Sequence, residues 1–88
     1  MTVKARGIDP RDEKWEIYRP DYRVYFWRPE GISDEWELTG ADDVEAVMRW
    51  AQDRCDGRTF VIYVNVPRNE GLGLVRLFGV DPTRAPDE

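Results

Sequence analysis

Only one segment of this 88-residue chain, at about 40–56, has the apolar spacing of an amphipathic helix, and both of its flanks are rich in β-branched and aromatic residues. Thr39 is predicted to cap this helix, Asp42 to complete a variant of the capping box, and Gly57 to end it in the left-handed conformation. The apolar stripe consists of Val44, Val47, Met48, Ala51 and Cys55, with Trp50 beside it. A single helix of this kind must bury its stripe against a sheet, which predicts an α+β fold.

Five segments have the composition of β-strands, three before the helix and two after it; they are residues 15–19, 22–28, 34–39, 59–66 and 72–80. Pro20 and Asp21 predict a tight turn between the first two, and residues 67–71 predict a five-residue hairpin loop between the last two. Strict alternation along the last strand predicts that Leu74 and Phe78 share a face. We therefore expect an antiparallel sheet of four or five strands, in the order β-β-β-α-β-β, with the helix packed on one face.

A sheet covered by one helix leaves its second face in need of cover. Tyr25, Trp27 and Tyr63 are predicted to lie on this second face. The helix-facing side of the strand at 59–66 is predicted to carry Phe60, Ile62, Val64 and Val66. Exposed apolar patches usually mark an interface, so a homodimer through the sheet face, a different protein partner and cover by the amino-terminal arm are three alternatives.

Acidic side chains are concentrated in one part of the chain. Residues 29–48 contain seven acidic and no basic side chains, in a chain whose net charge is -5. The seven are Glu30, Asp34, Glu35, Glu37, Asp42, Asp43 and Glu45. One interpretation is a solvated strand edge and helix start, because carboxylates near a helix amino terminus are stabilised by its dipole; the other is a contact surface for a basic partner. The charge balance disfavours nucleic acid, whose binding depends on clustered Lys and Arg.

The sequence contains no histidine, which removes the usual general base and the commonest metal ligand. Cys55 is the one cysteine, and we expect it to be a buried core thiol in the last turn of the helix, with no imidazole to activate it. No carboxylate pair has a diagnostic catalytic or metal-binding spacing, and Gly71-Leu72-Gly73 precedes a strand, whereas a phosphate-binding loop precedes a helix. The sequence therefore predicts no enzyme activity, no metal and no cofactor.

The length of the chain predicts one domain with a modest core, since a chain of this size buries only about 60–65% of the surface that its unfolded form exposes. Residues 14–80 are expected to form this domain, flanked by a flexible arm at 1–13 and a flexible tail at 81–88. The sequence shows no signal peptide and no run of 18 apolar residues, so no membrane contact is predicted. With its single cysteine, the chain is expected to be cytoplasmic.

Residues 22–82 contain an aromatic strand, then WELTGADDVEAVMRWA as strand and capped helix, then FVIYVNV and a Gly-rich hairpin into LVRLFGV. This segment, about two thirds of the chain, resembles small actinobacterial proteins of unknown function in the order of its elements. It is similar, more loosely, to immunity proteins that accompany secreted bacterial deaminase and nuclease toxins. That resemblance implies a stoichiometric inhibitor, and the acidic segment would suit a basic toxin.

The leading hypothesis is a non-catalytic protein-binding module, with an immunity-type inhibitor as its most concrete form. Its candidate partner-binding residues are Tyr25, Trp27, Tyr63, Glu30, Asp34, Glu35 and Glu37. The second hypothesis is a small-molecule-binding accessory protein or cryptic enzyme, with a pocket between helix and sheet lined by Trp36, Trp50 and Phe78. The third is a purely structural homodimer.

Overall fold

The structure, a computed structural model, describes residues 2–7, 9, 19–68 and 71–82. The elements are β1 (Tyr22–Trp27), β2 (Ser33–Leu38), α1 (Val44–Arg54), β3 (Thr59–Arg68) and β4 (Gly71–Phe78). The four strands form one antiparallel sheet in the order β2-β1-β3-β4. This confirms the predicted α+β class, with an antiparallel sheet and one helix, while the order along the described chain is β-β-α-β-β.

Two predictions concern the connections of the sheet. The predicted first strand, at 15–19, falls outside the described residues except for Arg19, which lies in a bend with a φ of +58°. The predicted five-residue loop at 67–71 is wrong, because β3 continues to Arg68, which is already paired with Gly71. Pro67 is tolerated inside β3 because the pairing with β1 ends at Val64, so no strand on that side needs its missing N–H.

The helix crosses over β1. Both β2 and β3 pair antiparallel with β1, so they run parallel to each other on its two sides. A connection between parallel strands needs a long crossover, and here α1 provides it. Val47 and Ala51 of the helix therefore lie in one buried cluster with Val24 and Phe26 of β1 and Ile62 of β3.

The core is small and lies between the helix and the two central strands. Its buried members are Tyr22, Val24, Phe26, Val47, Ala51 and Ile62. Burying a large apolar side chain stabilises the fold by about 1.5–3 kcal/mol. Phe60 and Val64 pack against this cluster, as predicted from the alternation in β3. Within the predicted helical stripe, Val47 and Ala51 are fully buried, whereas Val44 at the start of the helix is exposed.

The helix begins later than predicted. Asp43 is the N-cap, with extended backbone, and its carboxylate accepts a hydrogen bond from the backbone N–H of Ala46 at 2.9 Å. The predicted cap of Thr39 and Asp42 is wrong, because Gly40 adopts a φ of +75°, a left-handed conformation that an α-helix does not contain. The helix therefore starts at Val44 instead of at about residue 40.

The end of the helix is held by one arginine. The helix ends at Arg54 with Cys55 as C-cap, and the predicted left-handed conformation of Gly57 is confirmed by its φ of +78°. The Nε of Arg58 donates to the carbonyl of Cys55 and its Nη2 to that of Arg54, both at 2.9 Å. Its guanidinium carbon lies 4.5 Å from the centre of the Phe26 ring. The Cys55 carbonyl also accepts from the backbone N–H of Arg58 at 2.9 Å. Arg58 therefore caps the last carbonyls of the helix with its side chain and fixes that end to β1.

A bulge interrupts the pairing of β3 with β4. Ile62 pairs with Phe78, whereas the next residue, Tyr63, pairs with Arg76, so one residue of β4 has no partner opposite. Residues directly opposite in an antiparallel pair share a face, so Phe78 lies on the helix side with Ile62. The prediction that Phe78 shares a face with Leu74 is therefore wrong, because strict alternation ends at the bulge.

The described parts of the predicted arm and tail differ in burial. Residues 2–7 and 9 are exposed and carry neither helix nor strand. Asp81, at the start of the predicted tail, is buried and accepts a hydrogen bond from the Tyr63 hydroxyl at 3.3 Å. Within the described ranges, no helix has the length and apolar character that crossing a membrane requires.

Candidate functional site

A run of exposed apolar residues lies along β4 and just beyond it. Six large apolar side chains there are at least 39% exposed. They are Leu72, Leu74, Val75, Leu77, Phe78 and Val80, and we call them the β4 surface. One charged side chain, Arg76, lies among them. The other exposed large apolar residues of the described chain are scattered over the arm, a turn, β2 and the helix start: Val3, Ile32, Trp36 and Val44.

The β4 surface is open because the helix covers other strands. The buried residues of α1 pack on β1 and β3, and β4 lies beyond β3 at the edge of the sheet. On the helix side, Val75 lies opposite Val64 and Phe78 lies opposite Ile62, so both extend the apolar side of the sheet past the helix. Leu74 lies on the opposite side, so both faces of the strand expose apolar side chains.

The two edges of the sheet differ in charge. The edge strand β2 has the sequence SDEWEL with three carboxylates, whereas the edge strand β4 has the sequence GLGLVRLF with none. Charged side chains on an edge strand oppose pairing with another chain, and a long apolar edge with free backbone groups favours it. Among the strands that the structure describes, β4 has one neighbour, β3, so the backbone groups on its outer side have no strand partner.

The end of β4 is fixed by Gly79. This residue has a φ of +90°, and a Cβ added to it would overlap the carbonyl oxygen of Phe60 and lie 3.1 Å from the Cα of Val61. Only glycine satisfies both the left-handed backbone and the close approach to β3. Gly79 therefore determines how closely the carboxyl end of β4 approaches β3.

The carboxylates of the acidic segment are partly balanced by arginines from outside it. Asp34 pairs with Arg58, with 3.4 Å between Oδ2 and Nη1. Asp42 pairs with Arg19 at 2.8 Å, although both side chains are at least half exposed. Glu30 is exposed in the turn between β1 and β2. The residues predicted to contact a basic partner thus have separate local surroundings and do not form one uncompensated acidic surface.

Glu35 and Glu37 lie on the sheet face away from the helix, beside Arg23 of β1. In the register, Glu37 is opposite Arg23 and Glu35 is opposite Tyr25. The pKa of Arg23 is raised above its ordinary value, first by a hydrogen bond with the Tyr25 side chain and then by electrostatic attraction to Tyr25, Glu37 and Glu35. Glu37 also accepts a hydrogen bond from Nδ2 of Asn65 at 3.3 Å. These contacts favour the interpretation of the segment as a solvated strand edge and helix start.

The aromatic residues predicted to contact a partner do not form one open surface. Tyr63 is buried, and the centre of its ring lies 5.1 Å from that of Tyr25. Tyr25 and Trp27 are half-buried, and Val61, on the same face, is fully buried. The apolar exposure expected on the second face of the sheet is found instead along its β4 edge.

The side chains of the predicted ligand pocket do not converge. Trp36 and Trp50 meet edge to face with ring centres 5.8 Å apart, whereas Phe78 stacks on Phe60 with ring centres 5.3 Å apart. The ring of Phe26 lies between them, 5.9 Å from Trp50 and 6.1 Å from Phe60. The five rings form a row across the helix side of the sheet, in which Trp50 roofs the junction of helix and sheet.

Two open clefts are lined by other residues. One, of about 540 Å³, includes Trp27 and Arg28 in its lining, and the other, of about 220 Å³, includes Asn65. Neither is lined by Cys55, which is less buried than predicted and whose thiol donates to the carbonyl of Gln52 at 3.4 Å. The described residues contain no group of three or more His, Cys, Asp or Glu side chains placed to hold a metal ion.

Comparison of this chain with protein-family models, with curated proteins and with solved structures found no match. The assignment of a function therefore depends on the β4 surface itself. The predicted partner-binding residues include none from this surface, although residues 72–80 already show the signal, since apolar side chains occupy both alternating sets of positions and carboxylates are absent.

Proposed function

We propose that this chain is a non-catalytic protein-binding module and that the β4 surface is its contact surface. The observation that carries the proposal is the concentration of six exposed large apolar side chains on one edge strand and just beyond its end. Large contiguous apolar patches on a soluble protein usually bind something. An open strand edge binds a partner by accepting another strand, where backbone hydrogen bonds give affinity and alternate side chains give specificity.

The non-catalytic part of the proposal is supported by the chemistry of the side chains. The sequence has no histidine, and the thiol of Cys55 donates a hydrogen bond to a helix carbonyl. A cysteine activated as a nucleophile needs a neighbouring base or cation to stabilise its thiolate. A surface that recognises another protein needs neither group, and the exposed residues of β4 are suited to that role.

A more specific form of this proposal is an immunity-type inhibitor of a basic, nucleic-acid-handling toxin. Its support is the net charge of -5 and the concentration of seven carboxylates in residues 29–48. These carboxylates would accelerate the approach of a basic partner, whereas β4 would supply the apolar contact. In this form the association rate with a co-encoded toxin falls steeply as salt is added, and a salt-independent rate would contradict it.

The proposal is tested by comparing protein partners of three purified, tagged chains in lysate of the native cell. Leu74→Lys places a charge on the β4 surface, and Ile32→Lys places the same charge on an exposed apolar residue near β2. We expect a partner that the wild-type and Ile32→Lys chains retain and that Leu74→Lys loses. A partner that all three chains retain equally would contradict the role of β4. Circular dichroism confirms that each variant is folded.

A further inference from the structure

We propose that the partner of the β4 surface is a second copy of this chain, joined by antiparallel pairing of the two β4 strands. This inference rests on the proposed function, since it names the occupant of the same surface. A two-fold axis perpendicular to the sheet would relate the copies, so that each β4 both donates and accepts the same set of backbone hydrogen bonds. The resulting sheet would have eight strands, with the two β2 strands at its outer edges.

The geometry of β4 suits pairing with itself. A two-fold axis perpendicular to the sheet makes each face of one copy continuous with the same face of the other copy. Residues on the helix side of one β4 therefore meet residues on the helix side of the other. β4 pairs regularly with β3 from Gly71 to Arg76, before the bulge that lies opposite Ile62 and Tyr63. Leu74 lies in this regular part. If the two β4 strands pair around the middle of this regular part, the Leu74 residues of the two copies lie at or next to the two-fold axis. Apolar side chains then meet on both faces of the sheet.

The distribution of charge favours a second copy over a charged partner. The acidic segment at 29–48 includes β2, at the opposite edge of the sheet from β4. In the paired sheet the two β2 strands would be separated by seven strand spacings, roughly 34 Å at about 4.8 Å each. This is several times the screening length of about 8 Å at physiological salt, so the acidic segments would not oppose association. Because β4 itself carries one charge, Arg76, its surface offers little to an acidic or a basic strand.

The difference in charge between the edge strands β2 and β4 explains why the assembly would stop at two copies. Growth beyond a dimer by strand pairing would require two edges on each copy that can pair with another strand. The outer edge left in the dimer is β2, whose Asp34, Glu35 and Glu37 would face the carboxylates of any further β2 strand. Pairing through β4 alone therefore closes with the dimer.

The contact area predicts a weak dimer. Pairing edge to edge covers only part of the six side chains of the β4 surface on each copy, because side chains stand out of the plane of a sheet, so the area removed from solvent stays below about 1,000 Å², in the range of weak interfaces. We therefore expect a dissociation constant on the order of micromolar, with monomer and dimer both present over an accessible concentration range. Such a dimer would also cover apolar surface that a small domain otherwise leaves in water.

Analytical ultracentrifugation of the full chain, the Leu74→Lys variant and the Ile32→Lys variant tests this inference. We expect the wild type and Ile32→Lys to change from monomer to dimer with the same dissociation constant, and Leu74→Lys to weaken the dimer at least tenfold. Leu72→Lys, at a residue that is 63% exposed, is a second variant in which folding is not at risk. A dimer that neither lysine weakens, or a chain that stays monomeric at millimolar concentration, would overturn the inference.

Distances between spin labels test the orientation of the two copies. In a Cys55→Ser background, a label that replaces the exposed Arg76 of β4 should give a distance below about 25 Å, and a label at residue 35 of β2 a distance of roughly 40–45 Å. A short distance at residue 35 would overturn pairing through β4. If the chain stays monomeric while a different protein binds the wild type but not Leu74→Lys, the second copy is wrong and the proposed function stands. If neither association exists, both are wrong.

Discussion

Arg58 and Asp34, which are far apart in sequence, are joined in the structure by an ion pair with 3.4 Å between Nη1 and Oδ2. Asp34 belongs to the edge strand β2, whereas Arg58 follows the helix and lies against Phe26 of β1. One side chain thus links the end of the helix to both β1 and β2. The Arg58 side chain is 20% exposed, but that of Asp34 is 53% exposed, so water screens the ion pair itself.

Replacing Arg58 by alanine is expected to lower the free energy of unfolding by about 2 kcal/mol, because two helix carbonyls lose a charged donor and the Phe26 ring loses its cover. Asp34→Ala is the matched control, since it removes the ion pair with Arg58 and a hydrogen bond from Trp36 Nε1 at 3.1 Å but leaves the side-chain donors of Arg58 on both helix carbonyls, and we expect a loss of about 0.5–1 kcal/mol. Urea unfolding followed by tryptophan fluorescence measures both. Equal losses in the two variants would show that the ion pair, and not the capping of the helix, is what stabilises this junction.

Gly79→Ala is expected to destabilise the chain by about 3 kcal/mol or more, because the new Cβ would overlap the Phe60 carbonyl oxygen at a left-handed backbone position. Gly31 is the control, since its φ of +84° is similar but nothing lies within 4 Å of an added Cβ. Gly31→Ala should therefore cost only about 1 kcal/mol. The midpoints of thermal unfolding provide the comparison, and a Gly79→Ala chain as stable as Gly31→Ala would contradict the described end of β4.

Asp43→Ala is expected to reduce stability by about 1 kcal/mol, because the backbone N–H of Ala46 loses its acceptor. Thr39→Ala, at the position that the sequence pattern assigns as the cap, should change stability by less than about 0.3 kcal/mol. Chemical denaturation of the two variants distinguishes them. A larger loss for Thr39→Ala would place the helix start where the sequence alone predicts it.

Much of the architecture follows from local patterns. The period of β3 correctly placed Phe60 and Val64 toward the helix, and the stripe of the helix correctly identified Val47 and Ala51 as core. The left-handed position at Gly57 was also predictable, since glycine after an amphipathic run is the commonest way to end a helix. Each of these features depends on interactions within a few residues of the chain or on the burial of one face.

The features that were missed depend on pairing between distant segments. Thr39 and Asp43 are both good caps, and only the backbone of Gly40 in the folded chain decides between them. The bulge opposite Ile62 and Tyr63 is set by the register of two strands, which alternation within one strand does not reveal. The position of β4 at the edge likewise follows from the order of strands in the sheet, so the sequence indicated apolar exposure but assigned it to a face instead of an edge.

Hydrogen exchange of the β4 amides at increasing protein concentration is the most direct measurement of the central claim. We expect the outward-facing amides of β4 to exchange quickly in dilute protein and to become protected as concentration rises, with no such change in β2. The reason is that β4 has an open edge that a second strand can pair with, whereas the carboxylates of β2 oppose pairing. Amides of β4 that exchange at the same rate at every concentration would contradict strand pairing between two copies.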